Sequence, residues 1–155
     1  MFREEEILNF VNSENLKYQC IELPYGIKTP GDSRTEAINL VLNELKKGQT
    51  VLDIGSFLGL FCIKSLQHEA SKVTGLELNK ERLRQAKQIA DFLQLRPNYL
   101  RLDVEEYPKL DQHDLVLCLN VLHHLKNPIG VLHYLALHTN NTLIIEAAEF
   151  GIREA

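Results

Sequence analysis

The chain has no tryptophan, one methionine and three cysteines in 155 residues. Cys20, Cys62 and Cys118 are odd in number, contain no CxxC pair and sit among apolar residues. Cysteines of this kind act as small core hydrophobes and fit a reducing compartment, which excludes a disulfide framework. Glycine and proline are scarce, at 8 and 5, so the chain is neither collagen-like nor low-complexity. The apolar share of 45% is enough to offset the entropy of ordering the backbone, and a packed core is expected. No apolar run approaches the ~18 residues of a membrane span. The N-terminus, MFREEEILNF, carries acids where a signal peptide would carry a basic and then an apolar stretch. A cytoplasmic protein without a membrane partner is expected. Positive charge is not in excess either: 17 Lys and Arg face 21 Asp and Glu, for a net charge of −4. That excludes a global attraction to nucleic-acid phosphates, while a local basic face leaves an RNA acceptor open beside a small-molecule one. At roughly 150 residues per domain there is room for one core.

Along the chain, Ile7, Leu8 and Val11 place a helix in the first residues, followed by YQCIELPYGIKTPGD, which Pro24, Gly26, Pro30 and Gly31 break into turns. Residues 1–32 are expected to form an N-terminal helix and lead-in segment, and residues 33–155 a cofactor-binding domain. Ser33, with Glu36 after it, predicts a capping box ahead of AINLVLNELKK, which Gly48 should stop. Short apolar runs then alternate with helical stretches: TVLDIG, LGLFCIKSLQHEA, KVTGLEL, NKERLRQAKQIADFLQL, NYLRLDV, DLVLCLNV, KNPIGVLHYLALHT and TLIIEAA. Alternation at this pitch predicts an α/β fold with a doubly wound parallel sheet. Asn79 should cap the best defined helix, whose stripe is Leu83, Ala86, Ala90 and Leu93.

In such sheets ligands bind beyond the carboxyl ends of the strands. The first strand runs into Asp53-Ile-Gly55-Ser56-Phe-Leu-Gly59, where Gly55 permits a tight turn and Gly59 a close helix start with free N–H groups. The second ends at Glu77, placed to accept hydrogen bonds from two ribose hydroxyls; the third ends at Asp103 and the fourth runs into Asn120. Four aligned polar strand ends point to a nucleoside-type ligand. The competing explanation is that Asp53 and Asp103 cap helices, Glu77 is a solvated strand end and Gly55 only turns the chain.

At these residues the chain resembles the class I S-adenosylmethionine-dependent methyltransferases, from about Lys47 to Glu146. The resemblance implies a Rossmann-like sheet of order 3-2-1-4-5 with S-adenosylmethionine as cofactor. It places Gly55, Ser56 and Gly59 about the methionine part, with Asp53 nearby, and Glu77 on the ribose diol. Leu78 would lie against the adenine, Asp103 near its amino group and Val104 over its other face, while Asn120 would lie near the ammonium. IELPYGIKTPGDSR, DIGSFLG and LIIEA are most similar to the branch of tRNA wobble-uridine methyl- and carboxymethyltransferase-like proteins. Two features depart from the family. Phe57 stands where the first motif usually has a central glycine, and only FGIREA follows TLIIEAAE, where the family adds a helix and an antiparallel hairpin. A chain short at its C-terminus would leave its fifth strand as an open edge, to be covered by a second copy, a partner protein or further sequence of a longer parent.

His123 and His124 follow the fourth strand, where the methyl group should point, and are the candidate general bases for a hydroxyl, carbon or protonated-nitrogen acceptor. Against this, one is expected to face the core and the other solvent. A zinc site among His123, His124, His133 and His138 is not expected, because helical ligand pairs favour i,i+4 spacing. His68 and His113 fall in polar turns and are expected to be solvated. An NAD-dependent oxidoreductase is the competing enzyme, but Asp53 precedes the first glycine and Phe57 obstructs a pyrophosphate loop. A non-catalytic binding or partner subunit is the other class; retention of Asp53, Glu77 and Asp103 argues against it.

Overall fold

The runs TVLDI, KVTGL and HDLVLCL are apolar on both faces, so each becomes a strand that needs cover above and below. The structure, a computed structural model, describes residues 1–147. Its strands are β1 (Thr50–Ile54), β2 (Lys72–Leu76), β3 (Asn98–Leu100), β4 (His113–Leu119) and β5 (Thr139–Glu146). They form one parallel sheet in the order β3-β2-β1-β4-β5, as expected. The helices are α1 (Glu4–Ser13), α2 (Thr35–Glu44), α3 (Leu60–Gln67), α4 (Lys80–Phe92) and α5 (Pro128–Leu137).

Alternation along the strands divides the core in two. Val51, Val73, Leu115 and Leu117 pack with Val41, Ile63 and Ile89 of α2, α3 and α4. Leu52, Ile54, Val116 and Cys118 face the other way, onto Val131 and Leu135 of α5. The lead-in segment joins the first layer through Ile7, Leu16, Ile21 and Leu23, all buried. Glu14 ties it to α4, accepting from Arg84 at 2.5 Å and Gln85 at 2.9 Å.

Local signals held where one side chain decides the outcome. Asn79 caps α4, its Oδ1 accepting from Glu81 and Arg82 N–H at 3.0 Å. The expected capping box at Ser33 does not form. Its hydroxyl pairs with Thr35 Oγ1, Arg34 takes a left-handed φ of 52°, and α2 begins at Thr35. That helix also ends at Glu44, ahead of Gly48. The paired part of β3 stops at Leu100, and Asp103 follows as the cap of a 3-10 turn, Val104–Glu106, accepting from Glu105 N–H at 2.9 Å. His113 is not solvated: it opens β4 at 3% exposure, with Nδ1 2.9 Å from the Asp111 carbonyl and Nε2 3.4 Å from Thr74 Oγ1. Neighbouring strands cover a ring that the polar flanking sequence suggested would be wet.

Among the described residues β5 pairs with β4 alone, leaving its outer edge open. The expectation for the sequence after TLIIEAAE falls on 148–155, outside the described residues. No described helix is long and apolar enough to cross a membrane, and no described His, Cys, Asp and Glu side chains group as a metal site.

Candidate active site

A cavity of about 710 Å³ opens at the carboxyl ends of the strands. Its floor is the end of β1 and the turn after it. Gly55 adopts φ +68°, and a Cβ there would lie 2.8 Å from Val121 Cγ2, so both backbone and space demand glycine. Phe57 also takes a left-handed φ, of 55°. Its ring does not obstruct the floor; it stacks on Tyr18 at 4.7 Å and beneath the Arg82 guanidinium at 4.1 Å. Glu77, 6% exposed, holds this turn from β2, with Oε2 accepting from Phe57 N–H at 3.0 Å and Oε1 from Asn79 N–H at 2.8 Å. Each oxygen keeps a lone pair for a ligand hydroxyl.

Beneath the floor lies Asp53, 2% exposed yet lining the cavity. Burial pushes its pKa up to about 7; the Cys62 thiol, donating across 3.6 Å, pulls it down, and the Glu77 charge adds to the rise. Ser56 and Gly59 do not line the cavity. Ser56 is buried with its hydroxyl unpartnered, as is the Tyr99 hydroxyl. Gly59, at φ +86°, is where the Tyr99 hydroxyl packs, and any Cβ would overlap it. The first N–H of α3 is taken from within the protein, because Gln19 Oε1 accepts from Leu60 at 3.3 Å and from Leu58, ahead of the helix, at 3.1 Å.

Gln19 and Arg34 were not foreseen. The lead-in segment lines the cavity with Tyr18 and Gln19, and Arg34, just before α2, lines it beside them. The Arg34 guanidinium bonds Glu146 Oε1 at 2.6 Å and lies 5.7 Å from the Phe61 ring centre, with 15% of its side chain exposed. Among the described residues that is its only side-chain hydrogen bond, leaving further donors available on a cavity wall.

Opposite stand Leu78, Asp103 and Val104, all lining the cavity, with Leu78 53% exposed and Val104 6%. Glu105 Oε1 accepts from Lys126 and Asn127 N–H at 2.7 and 3.0 Å, fastening this wall to the segment after β4. That segment supplies Asn120, at a left-handed φ of 56°, and both His123 and His124. The competing expectation was that one of the adjacent histidines faces the core. The 3-10 turn Leu122–His124 instead leaves both exposed at the cavity, ring centres 4.0 Å apart.

The geometry has counterparts among known proteins. The chain is 30% identical over 102 residues to a tRNA U34 carboxymethyltransferase of Campylobacter concisus, covering 64% of this chain and 35% of that protein. It is 34% identical over 88 residues to a ubiquinone biosynthesis O-methyltransferase of Klebsiella pneumoniae, covering 56% and 36%. The chain thus spans about a third of the length of these curated relatives. In fold it is similar to the N-terminal domain of EvdMO1 with S-adenosylhomocysteine bound, at a TM-score of 0.75 and 19% identity over 96% of this chain and 63% of that one. It is likewise similar to magnesium protoporphyrin IX methyltransferase of Synechocystis PCC 6803 with bound S-adenosylmethionine, at a TM-score of 0.64 and 22% identity over 72% and 55%. Residues 52–142, more than half of the chain, match the family described as a methyltransferase domain. With its glycine turn, its strand-end acids and its sheet order, this chain belongs to the class I S-adenosylmethionine-dependent methyltransferase family.

Proposed function

We propose that the cavity binds S-adenosylmethionine and that the protein transfers its methyl group to an acceptor entering beside Asn120, His123 and His124. The observation that carries this is Glu77, a buried carboxylate with one backbone donor on each oxygen and a lone pair left on each at the cavity. That arrangement suits the paired hydroxyls of a ribose, and the acid Asp53 beside the glycine turn suits a cationic ligand better than the pyrophosphate of a dinucleotide. The donor set fits the rest of the cofactor. Leu78 and Val104 offer aliphatic faces for a purine, Asp103 an acceptor for its amino group, and Asp53 an acid toward the ammonium. Arg34 supplies a positive charge for the carboxylate.

When bound, the sulfonium supplies the electrophilic carbon, so the protein's tasks are alignment and exclusion of water. His123 and His124 stand at the open end, where an imidazole accepts the acceptor's proton. Substituting either should leave cofactor affinity unchanged and lower turnover by ~100-fold or more if that ring is the base. Two finer readings accompany this one. Three free cysteines support a reducing, cytoplasmic location. The open β5 edge, with Ile145 45% exposed, supports coverage by a second copy, which sedimentation would test.

Calorimetric titration with S-adenosylhomocysteine tests the central claim: micromolar binding that adenosine weakens by competition is expected, and its absence overturns the reading.

A further inference from the structure

The two acids at the cavity floor are held in different ways. Glu77 takes a backbone N–H on each oxygen, at 3.0 and 2.8 Å. Asp53 takes one donor among the described residues, the Cys62 thiol across 3.6 Å, and a thiol is a weak donor. No described Lys, Arg or His forms an ion pair with it. The register of the sheet makes this contact: Asp53 stands beside Gly75 of β2, and a Cβ on Gly75 would lie 2.9 Å from the Cys62 sulfur and equally close to the Ser56 hydroxyl. Glycine at that position lets α3 bring the thiol down onto β1. Ser56 carries the stronger donor, yet its hydroxyl has no partner and gives Asp53 nothing.

A carboxylate anion buried without N–H or cationic partners is costly, so below neutral pH Asp53 keeps its proton until something positive reaches it. The ionisable groups around it are Cys62 of α3, Tyr99 of β3, Cys118 of β4 and Glu77 after β2. Burial pushes the Cys62 thiol and the Tyr99 hydroxyl up, and Cys118 up to about 11, so these three stay neutral near pH 7, while the Glu77 charge opposes a second anion beside it. Asp53 Oδ1 takes no hydrogen bond from the described residues, and the residue lines the cavity, so the proton has a way out and a cation a way in. We propose that cofactor binding expels the Asp53 proton: its O–H bond breaks, the proton passes to solvent, and the ligand's ammonium takes its place beside the carboxylate, while Cys62, a positioning residue, holds the carboxyl through the exchange. Ligand and proton thereby compete for one group, and affinity weakens in acid. This rests on the cofactor reading above.

Calorimetry on the full chain, repeated in buffers of different ionisation enthalpy, counts the protons released per ligand bound. With S-adenosylhomocysteine, wild type should release about 0.5–1 proton at pH 6 and close to none at pH 8, and its affinity should fall about tenfold or more from pH 7.5 to 5.5. 5′-Methylthioadenosine carries the nucleoside and sulfur but no ammonium. It should release under about 0.2 proton at pH 6 and keep its affinity within about threefold over the same range. Binding of S-adenosylhomocysteine without release at pH 6, or equal release with both ligands, overturns the proposal and leaves the cofactor reading standing. Failure of wild type to bind either ligand overturns both. Asp53→Asn should abolish the release, and release that persists in it overturns the assignment to Asp53. Cys62→Ala removes the donor and should move the midpoint of the affinity–pH curve up by about 0.5 or more, where a loss of packing alone would leave it in place. An unmoved midpoint removes Cys62 from the role. Infrared difference spectra of wild type at pH 6 serve if a variant does not fold. Adding S-adenosylhomocysteine should convert a carboxylic-acid band to a carboxylate band and lower an S–H stretching frequency, because an anion draws the thiol proton harder. The absence of either change refutes the proposal.

Discussion

Glu77 and Phe57 are joined by a hydrogen bond of 3.0 Å from the Phe57 N–H to the Glu77 carboxylate. The acid at the end of β2 therefore shapes the turn after β1 as well as facing the cavity. A left-handed residue that is not glycine costs about 1 kcal/mol or more, and this bond together with the Tyr18 and Arg82 contacts holds Phe57 in that conformation.

Glu77→Ala removes both functions, and S-adenosylhomocysteine affinity should fall by ~1.5–3 kcal/mol. Glu77→Gln keeps one acceptor oxygen and should lose less. Titration calorimetry on both variants would show the order; equal affinity for Glu77→Ala and wild type would remove Glu77 from the ribose.

Asp53 ordinarily would titrate near 3.8 and is pushed to about 7. The folded state thus holds this proton more tightly than the unfolded state. The stability so gained is fully present below about pH 4 and is lost as pH rises through about 7. Asp53→Asn carries no such loss, so it should be more stable than wild type at pH 8 by on the order of 2–4 kcal/mol, with little difference near pH 4. Urea denaturation at the two pH values measures this.

His113 runs the other way. Burial lowers its pKa below the ordinary 6.5, so the unfolded chain takes up the proton first. Its contribution to stability is present above about pH 6.5 and is lost as pH falls through the lower folded value. The two groups oppose each other in mildly acid solution, and Asp53→Asn should expose a fall in melting temperature between pH 7.5 and 5.5 that His113→Phe reduces. His113 sits at the amino end of β4, away from the cavity, so cofactor affinity of the His113 variant should not change.

Gly59 and Tyr99 form a steric pair. Gly59→Ala should destabilise by ~2 kcal/mol or more, from the left-handed φ and the overlap with the Tyr99 hydroxyl. Tyr99→Phe removes a buried hydroxyl that has no partner and should be neutral or stabilise by ~1 kcal/mol. In the double variant the cost of Gly59→Ala should shrink, a coupling that thermal melts of the four proteins would measure.

Much of this architecture was legible in the sequence because a few local signals were unambiguous. Asn79 before an apolar stripe could only start a helix, and Asp53, Glu77 and Asn120 fell at the same end of the sheet once helices and strands alternated. Other residues were legible in type but not in place. Gly59 was assigned to the ligand's side, and what the sequence did not show is that its missing side chain seats Tyr99. His113 was expected in water because polar residues flank it, whereas burial depends on strands remote in sequence. Gln19 and Arg34 gave no signal at all: they lie among turns, and their partners Leu58, Leu60 and Glu146 are far along the chain.

The order of the strands also sets when a ligand can first bind during synthesis. β1 pairs with β2 directly, but its other edge waits for β4, and β3 and its turn intervene. A ribosome-bound chain that has released only β1 to β3 therefore has Glu77 and the glycine turn but neither Asn120 nor a covered second edge. Closing β4 onto β1 is a long-range step, slow for entropic reasons, and it brings the last wall of the pocket and covers the second edge of β1 together, with β5 still to add. Cofactor in the cell would then act as a late-stage folding ligand. It would favour only chains that have passed this step, by a margin that grows with its free concentration, and leave stalled fragments to proteolysis.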